Sequence, residues 1–437
     1  MSKAIGGQIT LKLILKLIWI GLLIEIIILA IIKPYVTDFV IVSTIAVSLH
    51  VLFSMALLIS MRNQYYVIFF GAFLARVSIM LWDLYANHIF RLPNTGHDAI
   101  AFYQNALILS EDLTLLSEPI RGGDFTKFHG LLIHWIGPQQ MLGHYINVLL
   151  GLTVVFIIYE ILILLELRPK IIKIVTAIAA FFPASILMSA IFLREIVITF
   201  FVVYSLFYFI KWFKTDSKLY MVISLIMLGL SSIFHSGVVG IFFGYAFVFM
   251  FYNHYKNAYL FHRKTVLIFI FLALIVFLVV TQFNDLFLGK FTDADDEFRD
   301  IYTVADARRG GSVYLTNLTI DNPFQLIFYG PIRAFYFLTA PLPMYWRGLT
   351  DIFTFMSDSS LYMGTMIYFI KNRHNLKDKK VLAIGLILII ACVSLVFGIG
   401  TYNAGTAMRH RQKFVPIFLI LFALIMDSKH SISNKVP

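Results

Sequence analysis

Apolar runs of about twenty residues recur along the whole chain, and no other feature limits its folding so strongly. A run of that length crosses a hydrocarbon layer of roughly 30 Å as a single helix. The 437 residues are 60% hydrophobic and 14% charged, against roughly 25% charged in an average soluble domain. A soluble core cannot hide that much apolar surface. Backbone groups in lipid must be satisfied internally, which leaves helices or a closed barrel, and these runs lack a barrel strand's alternation. The sequence therefore predicts an all-α, polytopic membrane protein: one transmembrane domain over 1–437, of about twelve transmembrane helices, with no soluble domain at either end.

In order, the runs fall at about 13–32, 36–61, 65–82, 141–165, 171–191, 195–213, 219–234, 237–252, 265–283, 352–370, 381–400 and 414–426. Lys33-Pro34 ends the first, which is too long for a signal peptide's apolar region and lacks an A-x-A exit, so it reads as a retained span. Most Lys and Arg fall in short loops between runs. Positive-inside placement then explains the net charge of +11 without nucleic acid, and puts both termini inside. Two long outer loops follow, at about 83–140 and 284–323. Within the first, 102–109 and 128–136 are apolar enough to form surface helices. The segment 324–345 is apolar but carries Pro331, Arg333, Pro341 and Pro343. A full crossing there would put the basic 371–380 loop outside, so it reads as re-entrant. Arg76, in the third run, would cost ~3 kcal/mol at a helix centre and should face protein, with Glu160 or Asp83 as partner.

The stretch Asn94-Thr95-Gly96-His97-Asp98-Ala99 in the first outer loop is the main candidate for chemistry. Asp98, beside His97, can take a proton from an acceptor hydroxyl as general base; it can also simply cap a helix starting at Ala99. Arg194, Glu195, His235, Arg308, Arg309, Arg333, Arg409, His410 and Arg411 fall on the same expected face. Arginines there can hold a phosphate or diphosphate through forked hydrogen bonds and stabilise it as a leaving group. Arg194-Glu195 also marks a helix start, and His235 can satisfy backbone at a tight turn. Arg308-Arg309-Gly310-Gly311 suits either a phosphate nest or a solvated charge run. Cations at 409–413, on the outer side, oppose the usual charge bias, which favours binding over anchoring. Cys392 is alone, so no intrachain disulfide or CxxC site exists. His97, His129, His134 and His144 lack an HExxH pattern, and neither metal nor cofactor is expected.

With Gly96-His97-Asp98-Ala99, Phe102-Tyr103, the stretch Tyr145 to Gly151, Pro183 through Arg194-Glu195, and Met408-Arg409-His410-Arg411, the chain resembles the GT-C superfamily of integral-membrane glycosyltransferases and the related O-antigen and capsule polymerase-like proteins. The resemblance implies transfer of a sugar or glycan from a polyprenyl phosphate or diphosphate carrier, at the outer face of a bacterial cytoplasmic membrane. Asp98 would be the acid of the first outer loop, here after the third span rather than the first. The implied partners are the polyprenyl-linked sugar, the lipid bilayer and other polysaccharide-assembly proteins. Three alternatives stand beside a monosaccharide transferase: a repeat-unit polymerase, a flippase or transporter for a lipid-linked glycan, and a structural subunit of an assembly complex. The two long loops, six spans apart, fit a two-halved transporter, although no internal repeat accompanies them.

Overall fold

The computed structural model describes residues 2–61, 64–271, 313–315, 318 and 325–433. Among the described residues it is predominantly helical, with a two-residue ladder pairing Tyr252–Asn253 with Ala258–Tyr259 and an isolated bridge between Val313 and Asn403. Among the described residues, six helical segments are long and apolar enough to cross a membrane: Leu11–Tyr35, Phe39–Ile59, Tyr66–Ala86, Gln140–Leu164, Glu195–Thr215 and Lys377–Gly400. Lys218–Phe234 and Ser236–Phe251 are apolar but shorter. Most of the expected run 265–283 and of the second long loop lies outside the described residues. The chain divides into two compact units, Met1–Tyr159 with Lys173–Phe200, and Glu160–Ile172 with Phe201–Pro437.

The first unit begins with helices α1 (Ser2–Ile32), α2 (Phe39–Ile59) and α3 (Tyr66–Leu81). On α1, Leu11, Ile14, Leu15, Ile18, Leu22 and Leu29 are buried at helical spacing, while Leu13, Ile20, Leu23 and Ile27 on other faces are exposed. A helix that is apolar all round yet packed on one side is suited to a lipid solvent. The first long loop holds two helices at the expected places, both longer than the sequence suggested: α4 (His97–Glu111) and α5 (Asp124–Ile136). Gly122, Gly123 and Gly137 bracket α5 with positive φ, a conformation that side chains with a Cβ rarely adopt.

Next come α6 (Gln140–Leu164), α7 (Pro169–Phe181) and α8 (Pro183–Met188). The run 171–191 is thus two helices with a break at Phe182. Phe182 is extended, and Pro183 lacks the N–H that would continue the helix. Arg76 occupies the break: its Nη1 donates to the carbonyls of Ala180 at 2.9 Å and Ala72 at 3.0 Å, and its Nε to Ser189 Oγ at 2.9 Å. These partners correct the expected pairing with Glu160 or Asp83. A carbonyl freed by proline needs a donor as much as a buried guanidinium needs acceptors. Gly151 makes room, since a Cβ there would lie 2.5 Å from Ser189 Cβ and 2.9 Å from Arg76 Nε. Asn147 Nδ2 donates to the carbonyls of Ile191 at 2.8 Å and Leu193 at 3.0 Å, fixing the irregular chain that follows.

Helix α9 (Glu195–Thr215) leads on to α10 (Lys218–Phe234) and α11 (Val239–Phe251). Beyond the ladder the second unit contains α12 (Gln325–Thr339), α13 (Leu349–Thr354), α14 (Ser360–Asn372), α15 (Lys380–Gly400), α16 (Ala404–Arg411) and α17 (Val415–Ser433). In the segment expected to re-enter, α12 ends before a cis Ala340-Pro341 bond and a single tight turn, Pro343–Tyr345. Helix α15 is the centre of this unit. Gly240 and Gly244 of α11 lie against the α15 backbone, and Gly398 of α15 lies against Ala334 of α12. At one end, Arg168 Nε donates to Asp427 Oδ1 at 2.9 Å and Lys379 also pairs with Asp427, tying three segments together.

Candidate functional site

In the first unit, His97 is the first residue of α4 and Asp98 the second. Asp98 lies in the first turn, where the helix dipole favours an anion, and Oδ1 accepts from Arg121 Nη2 at 2.7 Å with both side chains partly exposed. The acid is therefore accessible, and a proton-accepting role requires that ion pair to open. The Arg194 guanidinium stands 5.8 Å from the Phe102 ring, while Glu195, its buried neighbour, opens α9.

Below α4 is a cluster that sequence motifs did not single out. Asp83, in a widened turn over Trp82–Ala86, accepts from His144 Nε2 at 3.1 Å, and His144 Nδ1 lies 3.0 Å from the Gln140 carbonyl. His129 is buried against Phe125 and Phe192, with Nδ1 2.9 Å from the Phe125 carbonyl. Burial pushes His129 down to about 4 from 6.5, outweighing the Phe125 carbonyl that favours its proton, and the nearby His144 lowers it further. An unfolded histidine binds a proton near pH 6.5. The first unit's stability from this group is thus complete above about pH 6.5 and declines toward pH 4, because the unfolded chain takes up the proton first. The ceiling on that loss is about 3 kcal/mol. Thermal unfolding in detergent should show His129→Leu gaining on the wild type as pH falls through this window; a constant difference between the two would refute the assignment.

The second unit gathers several of the sequence-predicted cations. Arg411, the last residue of α16, is fully buried and pairs with Asp358, also fully buried. Its Nη1 donates to the carbonyls of Phe337 and Ala340, each at 2.9 Å. Asp358 lies in a second widened turn, Phe355–Ser359, where Oδ1 also accepts from Gln412 Nε2 at 2.8 Å and Tyr362 OH at 3.2 Å. One turn before Phe337 on α12 is Arg333, 1% exposed. Its guanidinium stands 4.4 Å from the Tyr402 ring centroid, and Nη2 donates to the Leu318 carbonyl. Among the described residues its Nε has no hydrogen-bond partner and no carboxylate pairs with it. Tyr314 closes this side, donating its N–H to the Tyr402 carbonyl at 2.9 Å and its OH to the Thr401 carbonyl at 3.1 Å.

On the far side of Arg411, fully buried Lys413 donates to His410 Nδ1 at 2.7 Å. The His410 ring meets His235 at 4.8 Å and Phe397 at 5.0 Å. His235 also does what its position at a turn suggested, with Nδ1 accepting from the Gly237 N–H at 3.1 Å. Arg409 is half-buried on α16 beside them. Arg308 and Arg309 lie outside the described residues. Three buried cations, Arg333, Arg411 and Lys413, therefore share this cluster with one described buried carboxylate, Asp358. The sequence pointed to the arginines but not to Asp358, Tyr362 or Tyr314, which are remote along the chain and carry no motif. Compared with family models, curated proteins and solved structures, the chain matches none.

Proposed function

We propose that this protein is a membrane glycosyltransferase whose second unit holds the phosphate or diphosphate of a polyprenyl-linked sugar. One observation carries the reading: the fully buried guanidinium of Arg333 has an Nε without a hydrogen-bond partner among the described residues, and no described carboxylate pairs with it. A buried cation without an anion is costly, and the guanidinium fork matches phosphate oxygens. In the reaction an acceptor hydroxyl attacks the sugar's anomeric carbon and gives up its proton to a carboxylate. The bond to the phosphate oxygen breaks, and its electron pair leaves with the phosphate, where cationic donors lower the barrier. The carboxylate this reading takes from the sequence is Asp98, with His97 beside it. About twelve crossings, a re-entrant path for 324–345, and an outward-facing site in a bacterial cytoplasmic membrane belong to the same reading.

Purified protein should bind a polyprenyl diphosphate and not the matching polyprenyl alcohol. Arg333→Gln should weaken that binding about tenfold or more, the value of one charge-assisted bond. Asp98→Asn should leave binding and protein abundance intact while abolishing sugar transfer from the lipid-linked donor. Equal binding of the alcohol, or an unaltered Arg333→Gln protein, refutes the phosphate site; full transfer by Asp98→Asn removes Asp98 from the chemistry.

A further inference from the structure

Glu25 and His50 are unused by the reading above, and both sit in the middle of candidate membrane spans. Glu25 lies fourteen residues into Leu11–Tyr35, and His50 eleven residues into Phe39–Ile59. At 1.5 Å per residue Glu25 lies about 21 and 15 Å from the two ends of its span, and His50 about 16 and 14 Å from the ends of its own. Ionisable groups at that depth are expensive and, where they occur, tend to mark ion or proton pathways. The two form a pair, with His50 Nδ1 2.9 Å from Glu25 Oε2. Gly21, one turn before Glu25, lets the imidazole lie against α1, since a Cβ there would sit 3.1 Å from His50 Cε1.

The outward atoms of both groups are buried and unsatisfied: neither Glu25 Oε1 nor His50 Nε2 has a hydrogen-bond partner among the described residues. A pair built only to bind two helices would leave no such atoms, because each costs free energy in an apolar interior. Both can accept a proton. We propose that Glu25 and His50 form an intramembrane proton-binding site in the first unit, which takes up one proton from water and releases it again. In the empty state the carboxylate is ionised, the imidazole is neutral with Nδ1–H donating to Glu25, and the pair carries one negative charge. Hydronium gives its proton to the Nε2 lone pair and departs as water. The loaded pair is then imidazolium facing carboxylate, with no net charge.

Few other groups act on the pair. Tyr145 of α6 has its ring 5.7 Å from His50, and its hydroxyl is 2.7 Å from Ser54 Oγ, on the same buried face of α2 as His50. Helix α2 carries no other titratable residue. On α1, Lys12 and Lys16 are exposed and at least nine residues away, and Lys33 is occupied with the His134 carbonyl of α5 at 2.6 Å. Arg76 of α3 is bound to carbonyls and Ser189.

The test is a pH titration of full-length protein in lipid nanodiscs, with ¹⁵N-labelled histidine followed by NMR between about pH 5 and 9. His50→Gln identifies the signal among the twelve histidines. The His50 ring should pass reversibly from neutral to charged form in one step. Glu25→Gln should displace that step along the pH axis, because the carboxylate is the direct partner of the ring. A His50 signal fixed in one state across the range overturns the proposal, and so does a midpoint that ignores Glu25→Gln. The wild-type titration decides the first point even where a variant fails to insert. Failure here leaves the phosphate reading standing, since Arg333 and the lipid probe play no part in the measurement.

Discussion

Arg411→Met should destabilise the second unit by about 3–5 kcal/mol, because it strands the Asp358 carboxylate in a fully buried position. The hydroxyl of Tyr362 and the amide of Gln412 remain on Asp358, but neither carries charge. The same change removes the donor to the carbonyls of Phe337 and Ala340, at the end of α12. Loss of a buried partner is costlier than loss of the pair, so Arg411→Met/Asp358→Leu should be more stable than Arg411→Met alone. Thermal unfolding in detergent, with membrane abundance beside it, reads both effects. An Arg411→Met protein within about 1 kcal/mol of wild type would mean that the pair is not the anchor of this cluster.

Gly244→Leu should prevent the second unit from assembling, and Gly244→Ala should already cost about 1–3 kcal/mol. A Cβ at Gly244 would lie 2.5 Å from Ile389 Cα, and one at Gly240 would lie 2.5 Å from Val393 Cα and 3.0 Å from the Cys392 carbonyl. These neighbours are backbone atoms, which cannot rotate away, so α11 and α15 would have to separate. Glycines four residues apart are what allow two helices to approach so closely in an apolar solvent. Gly229, inside α10, supplies the control, since nothing lies within 4 Å of a Cβ added there. Gly229→Ala should be neutral or stabilising by up to about 1 kcal/mol through helix propensity. Equal behaviour of the two alanine variants would rule out close α11–α15 packing.

The site was partly legible before any coordinates. Arg333, Arg411, His410 and His235 stood out because polar groups are rare in so apolar a chain, and the second unit places them in one cluster. Asp98 was legible as a loop acid, but its ion pair with Arg121 was not, because 23 residues of loop separate the two. Glu25 and His50 were passed over: a single charge inside an apolar run has no periodic signature, and only its partner on another helix gives it meaning. Asp83 and Asp358 share a different concealment, as each sits in a widened helical turn that residue type does not announce.

By itself the sequence determined the solvent and the class of fold. Apolar runs of membrane length leave the backbone no choice but helix, and Lys33-Pro34 marks where the first one stops. Tertiary structure alone decided the partners: Arg76 with the carbonyl freed ahead of Pro183, Arg411 with Asp358, Glu25 with His50. The reason is physical. Hydrophobicity acts locally along the chain and is read residue by residue, whereas the pairing of buried charges depends on which helix faces which, and packing fixes that over separations of up to a hundred residues or more.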